Sequence, residues 1–262
     1  MTNANSVILI VVDGMRPDGL QQADTPTIDR LIAGGAHTLS ARSVMPSITL
    51  PCHVSMFHGV TPEAHGITTN IWVPHNPPLV GLFEVLQAAG KKTAMFHNWE
   101  ELRDLSRPGY LEASLYLKNC HDPLGAGDTE LAEQTYDWLS RNPVDFTFVY
   151  LGYTDVAGHD YGWMSEPYLQ GIANADHCIG RIISALPEEC AVIITSDHGG
   201  HGKSHGSDCD EDMLIPLVIS GPGIPTGTRI DRPVDLTDLA PTIVSLLGIA
   251  PPPEWMGKAL HF

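Results

Sequence analysis

The 262-residue sequence predicts an α/β fold in which a mainly parallel central sheet carries helices on both faces. Continuous apolar runs at Ser6–Val12, 145–151 and 191–195 are typical of buried parallel strands. Segments with helical spacing of apolar residues, such as 167–186, alternate with these runs, and that alternation favours parallel strands joined by helices. We therefore expect one α/β domain over residues 1–262.

The remaining elements follow from apolar periodicity and from Gly or Pro boundaries. Further strands are predicted at 37–44, 92–96 and 214–220, and further helices at 27–33, 50–57, 81–89, 128–139 and 236–247. Residues 61–78, rich in Pro, His and Asn, are predicted to form a long loop. Residues 101–127 show no regular period and are the candidate small irregular cap.

Composition indicates which classes of binding partner and which cellular location to expect. The chain has 31 acidic and 14 basic residues, a net charge of −17, which disfavours binding to polymeric nucleic acid. The apolar run Val7–Val12 is too short to span a bilayer and lacks the basic flank and cleavage site of a signal peptide, so we expect no membrane partner. Five scattered cysteines without a CxxC pair are expected to be free thiols. These features predict a cytoplasmic location, and the oligomeric state is left open.

Acidic residues follow three of the predicted strands. Asp13 ends the first strand, and Asp155 and Asp197 follow later ones, so all three are expected at the carboxyl edge of the sheet. His159 lies four residues after Asp155, a spacing that lets both face one point on a helical turn. His198 is adjacent to Asp197, which suits a turn. An Asp after a strand is ordinarily a cap or turn residue, so the prediction depends on the whole set.

These side chains, with His205, offer mixed nitrogen and oxygen ligands that favour Zn²⁺, with Mn²⁺ or Fe as alternatives. Thr49 precedes Pro51 at the start of the predicted helix 50–57, where its ordinary role would be an N-cap. Given six metal-capable side chains, we interpret Thr49 as a nucleophile held over two divalent metals. Cys52 is expected to be a buried small hydrophobe.

The order of these motifs resembles the alkaline phosphatase superfamily, and most nearly its nucleotide pyrophosphatase/phosphodiesterase branch. The matching segments run from Asp13 to Pro222. They are Val12-Asp13-Gly14, Pro46-Ser47-x-Thr49-x-Pro51-x-His53, Thr61-Pro62-Glu63-x-His65-Gly66, Asp155-x-x-Gly158-His159-x-x-Gly162, Ser196-Asp197-His198-Gly199 and His205-Gly206. The resemblance implies an alkaline phosphatase-like core with a binuclear metal centre.

The resemblance also implies a role for each site residue. The implied metal ligands are Asp155, His159 and His205 at one site, and Asp13, Asp197, His198 and Thr49 at the other. Thr49 would attack phosphorus to form a phosphothreonine, which water at the Asp155 site would then hydrolyse. Asn70 stands where the family holds a phosphoryl oxygen, and with the backbone N–H of Leu50 it would stabilise developing charge. Its ordinary role would be a local turn.

Two features leave alternatives open. Only six residues separate His198 from His205, fewer than is usual in the branch, so His201 competes for the last ligand position, and we expect His205 to hold it. Trp72, Tyr161 and Trp163 flank site segments and are candidate substrate-binding pocket walls, with core or loop packing as the equal alternative. His53, His58, His65 and His75 are expected to be structural hydrogen-bonding residues.

The predicted reaction is hydrolysis of a small phosphodiester or phosphonate monoester. Neither Arg16 nor Arg42 occupies a familiar clamp position, and a phosphomonoester dianion usually attracts such a clamp. Phosphomonoesterase, phosphonoacetate-type hydrolase and phosphomutase chemistry remain alternatives. Sulfate ester hydrolysis is disfavoured, because sulfatases of the superfamily carry Cys or Ser at the position of Thr49 and Arg at that of His53. A non-catalytic metal-binding protein would have no use for Thr49 and Asn70.

Overall fold

A computed structural model describes residues 4–75, 78–107 and 109–262, and these residues form one eight-stranded sheet. The strands are β1 (Ser6–Val12), β2 (Ala36–Arg42), β3 (Thr93–His97), β4 (Ala113–Tyr116), β5 (Phe146–Leu151), β6 (Cys190–Thr195), β7 (Leu214–Ser220) and β8 (Thr228–Arg229). Their order is β4-β3-β5-β1-β6-β7-β2-β8. The five neighbouring strands β4, β3, β5, β1 and β6 are parallel. Strand β7 runs antiparallel to β6 and β2. This arrangement confirms the mainly parallel α/β fold.

Helices fill the connections between strands. They are α1 (Pro17–Gln22), α2 (Pro26–Gly34), α3 (Thr49–His58), α4 (Pro62–His65), α5 (Leu82–Ala88), α6 (Ala126–Leu139), α7 (Tyr153–Tyr161), α8 (Glu166–Ile183), α9 (Asp210–Met213) and α10 (Leu239–Leu246). Three 3-10 helices lie at Glu100–Leu105, Pro123–Gly125 and Leu236–Asp238. The five further helices predicted from periodicity each have a counterpart, the last of them divided between the 3-10 helix at Leu236–Asp238 and α10.

Two predicted irregular segments contain regular structure. Within 61–78, Pro62–His65 forms the short helix α4, and residues 76 and 77 lie outside the described part of the chain. Within 101–127, β4 pairs with β3 at the sheet edge, so the prediction of a wholly irregular segment is wrong. The short, half-buried Ala-Ser-Leu-Tyr of β4 carries too little alternation to be read from sequence. The single-domain organisation and the cap stay predictions.

The sheet separates two hydrophobic cores because alternate β1 side chains point to opposite faces. Leu9 packs with Phe57 of α3 and neighbouring residues on one face, whereas Ile10 packs with Leu131 of α6 and Ile172 of α8 on the other. Helices therefore cover both faces, as predicted. Among the described residues, no helix combines the length and apolar character needed to cross a membrane.

The carboxyl ends of the three central strands β5, β1 and β6 lie side by side. β1 lies between β5 and β6, with Val12 opposite Leu151 and Val11 opposite Thr195. All three strands are parallel, so their carboxyl ends meet at one edge of the sheet. Helix α7 begins two residues after β5 ends, and a turn follows β6.

Candidate active site

The three predicted carboxylates converge at this edge. Asp13 follows β1, Asp155 lies in the first turn of α7, and Asp197 lies in the turn after β6. Gly14 allows the close approach, because it has φ +68° and a Cβ there would lie 3.2 Å from the Cα of Asp155. Its backbone N–H donates to Oδ1 of Asp197 at 3.2 Å. One glycine thus brings the three chain segments into contact.

Three histidines present the same ring nitrogen to the carboxylates. The Nδ1 atoms of His159, His198 and His205 lie 2.8–2.9 Å from the backbone oxygens of Lys203, Gly199 and Ser47. A carbonyl oxygen only accepts hydrogen bonds, so each Nδ1 is the donor, which in a neutral ring leaves the lone pair on Nε2. This arrangement orients imidazole for metal binding through Nε2.

The buried half of the site consists of Asp13, Asp197 and His198, whose ligand atoms lie within 4.8 Å of one another. His198 Nε2 is 3.3 Å from Asp13 Oδ1 and 3.4 Å from Asp197 Oδ2. Asp13 also accepts a hydrogen bond from Tyr150, and the Ser196 hydroxyl lies 3.5 Å from Asp197 Oδ1. All three metal-capable side chains are buried. We call them the buried group.

The open half of the site consists of Asp155, His159 and His205, which we call the open group. Asp155 Oδ1 is 3.6 Å from His205 Nε2, and Asp155 Oδ2 is 3.5 Å from His159 Nε2. The rings of His198 and His205 stack with centroids 3.8 Å apart, and Asp155, His198 and His205 also form a compact metal-capable set. His198 therefore adjoins both groups, and His159 is more peripheral than the sequence predicted.

The donor atoms fit divalent cations. Asp13 Oδ1, Asp155 Oδ1 and Asp197 Oδ2 are buried and have no hydrogen-bond partner among the residues that the structure describes. Over the same residues, every side-chain nitrogen of a basic residue that lies within 4.0 Å of these three carboxylates belongs to a histidine. Burial and then the charges of Asp197 and Asp155 raise the pKa of Asp13 well above its ordinary value. Bound cations would relieve this repulsion.

One histidine of the open group, His205, is already in its ligand form. Burial, followed by the neighbouring charge of His198, lowers the pKa of His205 to about 3. The ring is therefore neutral at physiological pH, as metal binding requires. Burial also raises the pKa of Asp155.

Thr49 lies beside the histidine that adjoins both groups. Its Oγ1 is 3.2 Å from His198 Nε2, and the side chain is 4% exposed, so the hydroxyl is held at the floor of the site. Thr49 is the first residue of α3 and Ile48 is the N-cap, so the N-cap alternative for Thr49 is wrong. Cys52 is fully buried and burial raises its thiol pKa, which confirms it as a small core residue.

Asn70 meets the start of the same helix. The backbone N–H of Leu50 donates to Asn70 Oδ1 at 3.0 Å. In this arrangement the Leu50 N–H positions Asn70 and does not itself point at a substrate oxygen, which revises the predicted role of Leu50. The Asn70 amide nitrogen is the donor left for a ligand.

The chain as a whole matches a family model. The model describes type I phosphodiesterase/nucleotide pyrophosphatase, and it matches residues 7–210. The chain belongs to this family.

Curated relatives are distant and longer. Bis(5'-adenosyl)-triphosphatase ENPP4 of Bos taurus is 25% identical over 238 residues, which cover 80% of this chain and 49% of that protein. A 2,3-bisphosphoglycerate-independent phosphoglycerate mutase of Desulforudis audaxviator is 31% identical over 139 residues, 49% of this chain and 26% of that protein. The chain thus spans at most about half the length of these relatives.

Solved structures share the fold. Murine ectonucleotide pyrophosphatase/phosphodiesterase 5, as an inactive variant in complex with AMP, aligns with a TM-score of 0.79 at 16% identity, covering 95% of this chain and 96% of that one. The phosphonate monoester hydrolase of Agrobacterium radiobacter aligns with a TM-score of 0.76 at 18% identity, covering 98% and 76%. The alkaline phosphatase-like fold of this family member is therefore established.

The aromatic residues near the family motifs have different environments. Trp163 is buried against Gly158 and Gly200, where a Cβ would come within 2.7 and 2.2 Å of its ring, and its indole N–H donates to Gly14 O at 3.0 Å. Of the two alternatives predicted for Trp163, core packing is confirmed and the pocket wall is wrong, because the ring packs against His159 and His205. Tyr161 is exposed. Trp72 is partly buried and borders a cavity beside Asn70.

The two arginines named from sequence are engaged elsewhere. The Arg16 guanidinium donates to both carboxylate oxygens of Asp18 at 2.6–2.8 Å and to Gly200 O at 2.9 Å. Arg42 donates to Asp210 at 3.1 Å. These contacts agree with the expectation that neither forms a phosphate clamp.

Other histidines have structural partners, as predicted. His53, His58 and His75 lie with Nδ1 2.8–3.0 Å from backbone oxygens, and His65 Nε2 lies 2.9 Å from the Ser55 hydroxyl. His201 bonds to Asp212 at 2.7 Å and lies in neither half of the site. The ligation of metal by His205 stays a prediction.

Sequence reasoning missed Tyr150. Its hydroxyl fixes Asp13 from the neighbouring strand, where Tyr150 pairs with Val11. A tyrosine at the end of a buried strand is the signal that could have indicated a polar partner, since a buried phenol requires one.

Proposed function

We propose that this chain hydrolyses small phosphodiesters or phosphonate monoesters through a covalent adduct on Thr49. The observation that carries the proposal is the position of the Thr49 hydroxyl, 3.2 Å from His198 Nε2 where the buried and open groups meet. The family description, type I phosphodiesterase/nucleotide pyrophosphatase, supports the phosphodiester part of the proposal. Two divalent metals, Zn²⁺ in first place and Mn²⁺ or Fe as alternatives, would activate the hydroxyl and a water and neutralise charge on phosphorus.

The chain's own residues would act in two displacements. In the first, Thr49 Oγ1 loses its proton to solvent and forms a bond to phosphorus as the bond to the leaving oxygen breaks, and the leaving oxygen departs as an oxyanion that takes up a proton from solvent. The adduct keeps the substituent that did not leave. In the second, a water oxygen attacks from the side of the open group and the bond between phosphorus and Thr49 Oγ1 breaks. The proton lost by the water is balanced by reprotonation of Thr49.

Asn70 would position the phosphoryl group. Because its Oδ1 is held by the Leu50 N–H at 3.0 Å, its amide N–H groups are set to donate to a non-bridging oxygen. The start of α3 adds a positive dipole end at the same place, since Thr49 is its first residue.

The charges favour a substrate with one negative charge on phosphorus. Arg16 and Arg42 are committed to Asp18 and Asp210, so neither is available to bind a dianion. A diester or phosphonate monoester carries one charge, and a phosphomonoester carries close to two at neutral pH. This contrast supports diester or phosphonate hydrolysis over the phosphomonoesterase alternative.

The leaving group would occupy the cavity beside Asn70. Its volume is about 540 Å³, and its walls include Trp72 and the 3-10 helix Glu100–Leu105 from the segment predicted as a cap. A cavity of this size accepts a small organic group. Trp72 would stack on that group, in keeping with its predicted role as a pocket wall.

A substrate panel tests the proposal. The protein loaded with Zn²⁺ or Mn²⁺ is given an aryl phosphodiester, an aryl phosphonate monoester, an aryl phosphomonoester and an aryl sulfate. We expect the first two to be turned over with kcat/KM at least ~10-fold above the others, a difference of about 1.4 kcal/mol. Monoester turnover above diester turnover would contradict the substrate assignment. Absence of turnover with all four would favour the phosphonoacetate-type, mutase or non-catalytic alternatives.

A further inference from the structure

A second cluster of metal-capable side chains lies outside the active site. It consists of His201, Cys209 and Asp212 in the connection between β6 and β7. It shares no residue with the buried or open group. Cys209 is also the one cysteine of the five that is not buried.

The ligand atoms of the cluster converge on one point. His201 Nδ1 is 2.7 Å from Asp212 Oδ1 and 3.6 Å from Cys209 Sγ, and all three atoms lie within 4.8 Å of one another. In a tetrahedral zinc site, bond lengths of about 2.0–2.3 Å place neighbouring ligand atoms about 3.4–3.6 Å apart. The thiol is already at that separation from the ring, and the carboxylate must move away by roughly 0.7 Å.

The same geometry excludes a thiol hydrolase. In a nucleophilic triad the acid and the nucleophile meet opposite nitrogens of the histidine, which relays a proton between them. Here Cys209 and Asp212 both meet Nδ1 of His201. A proton cannot be relayed between Cys209 and Asp212 when both contact the same ring nitrogen. Three ligand atoms that converge on one point are, by contrast, what a bound cation needs.

The Asp212 carboxylate is fixed in place by neighbouring residues. Asp212 is fully buried, and Ser207 donates to its Oδ2 from both the backbone N–H and the hydroxyl at 2.8 Å. Oδ1 is thereby turned toward His201. Fixing one carboxylate oxygen in this way is how outer residues orient a metal ligand.

We propose that His201 Nδ1, Cys209 Sγ and Asp212 Oδ1 bind a third, structural metal ion of the thiophilic divalent class, with Zn²⁺ as the best fit. A water would complete the tetrahedron on the exposed side of His201. On binding, the Cys209 thiol releases its proton to solvent and the ring hydrogen of His201 moves from Nδ1 to Nε2.

The proposed ion would fasten the loop that carries His205. Backbone hydrogen bonds join His201 and Ser204 in both directions at 2.9–3.0 Å, and Gly199 N–H donates to Asp212 O at 2.8 Å. His205 follows this turn directly and bonds to Ser47. A metal tie between the turn and α9 would hold the short link after His198 in the conformation that delivers His205 to Asp155.

Cobalt spectroscopy of the full chain tests the site. Neither active-site group contains cysteine, so a sulfur-to-cobalt charge-transfer band in the near ultraviolet would report this cluster alone. We expect the band on titration with Co²⁺, its loss in Cys209→Ser, and at least ~10-fold weaker cobalt binding in His201→Ala. Cys178→Ala, which removes a buried thiol on α8, is the matched control and should keep the band.

The outcome separates this proposal from the proposed function. Thr49→Ala should keep the band while losing turnover. The proposal of a third site would be overturned if wild-type protein saturated with Co²⁺ showed no band, or if Cys209→Ser retained the band. Should Cys209→Ser fail to fold, thiol labelling of wild type decides, because Zn²⁺ must slow labelling of Cys209 at least ~10-fold and a chelator must restore it. Labelling that Zn²⁺ leaves unchanged would refute the site.

Discussion

The buried and open groups of the active site adjoin one another through His198 but differ in exposure and in what holds them. Asp13 and Asp197 are 2% and 0% exposed, whereas the side chain of His159 is 43% exposed. The buried group sits directly at strand ends and is fixed by Tyr150. The open group comes from α7 and from the loop after β6.

Under the proposed function, this difference would give the two halves separate tasks. A sealed group at strand ends gives a fixed position, which suits activation of the Thr49 nucleophile beside His198. A group on a helix and a loop, with the side chain of His159 43% exposed at its edge, would admit water and let a product leave, which suits the second displacement. Substitutions in the buried group should therefore remove activity outright, and those at the edge of the open group should weaken it.

The largest effect is expected at Thr49. Thr49→Ala should lower kcat/KM by roughly 10⁴-fold or more, because the attacking oxygen is lost, while the metal content stays that of wild type. Steady-state kinetics and elemental analysis of the same sample measure both. Thr226→Ala, an exposed threonine, is the matched control. Appreciable activity in Thr49→Ala would rule out the covalent route.

The shared position of His198 should be visible in metal content. His198→Ala is expected to lose both active-site ions relative to wild type, because this ring adjoins both groups, and His205→Ala should lose one. Activity should fall at least ~10²-fold in each. Elemental analysis after gel filtration counts the ions. Equal losses in the two variants would show that His198 serves one site only.

Loss of the active-site ion in His201→Ala in place of His205→Ala would contradict the ligand assignment. We expect His201→Ala to lose only the ion of the proposed Cys209 site. With saturating metal, His201→Ala should therefore keep activity that His205→Ala lacks.

A smaller effect is expected from the residue that fixes the buried group. Tyr150→Phe removes the hydroxyl that donates to Asp13 and should lower kcat/KM by about 10–100-fold, as loss of a partner to a metal ligand does. Tyr136→Phe on α6 keeps a comparable ring and should leave kcat/KM unchanged. A wild-type rate in Tyr150→Phe would mean that burial alone positions Asp13.

The smallest effect is expected at the edge of the open group. His159→Ala should lower kcat/KM about 10-fold at limiting metal and recover on addition of Zn²⁺, since Asp155 and His205 remain in contact. Metal titrations of activity measure the recovery. A loss that excess metal leaves unchanged would give His159 a role equal to that of the buried residues.

The convergence of Asp13, Asp155 and Asp197 could be predicted because it follows from a simple rule. Each residue comes at or soon after the end of a parallel strand, and neighbouring parallel strands end at one edge. The spacing of Asp155 and His159 likewise depends only on the geometry of one helix, and α7 confirms it.

Other features depend on contacts between distant segments. Tyr150 meets Asp13 through the register of two strands, and the sequence does not reveal that register. The sequence could not decide between a pocket wall and core packing for Trp163, because its burial depends on two glycines, Gly158 and Gly200, that approach its ring from different segments. His159 is held through Nδ1 by the backbone oxygen of Lys203, 44 residues along the chain, and the sequence does not reveal that contact.

The most direct test of the account is to trap the adduct. The metal-loaded protein is mixed with an aryl phosphodiester, quenched with acid within the first turnover and digested for mass spectrometry. We expect the peptide containing Thr49 to carry the phosphoryl group with its retained substituent, to accumulate more of it in His159→Ala, and to carry none in Thr49→Ala. Full turnover without an adduct, or an adduct on another side chain, would contradict the assignment of Thr49 as the nucleophile.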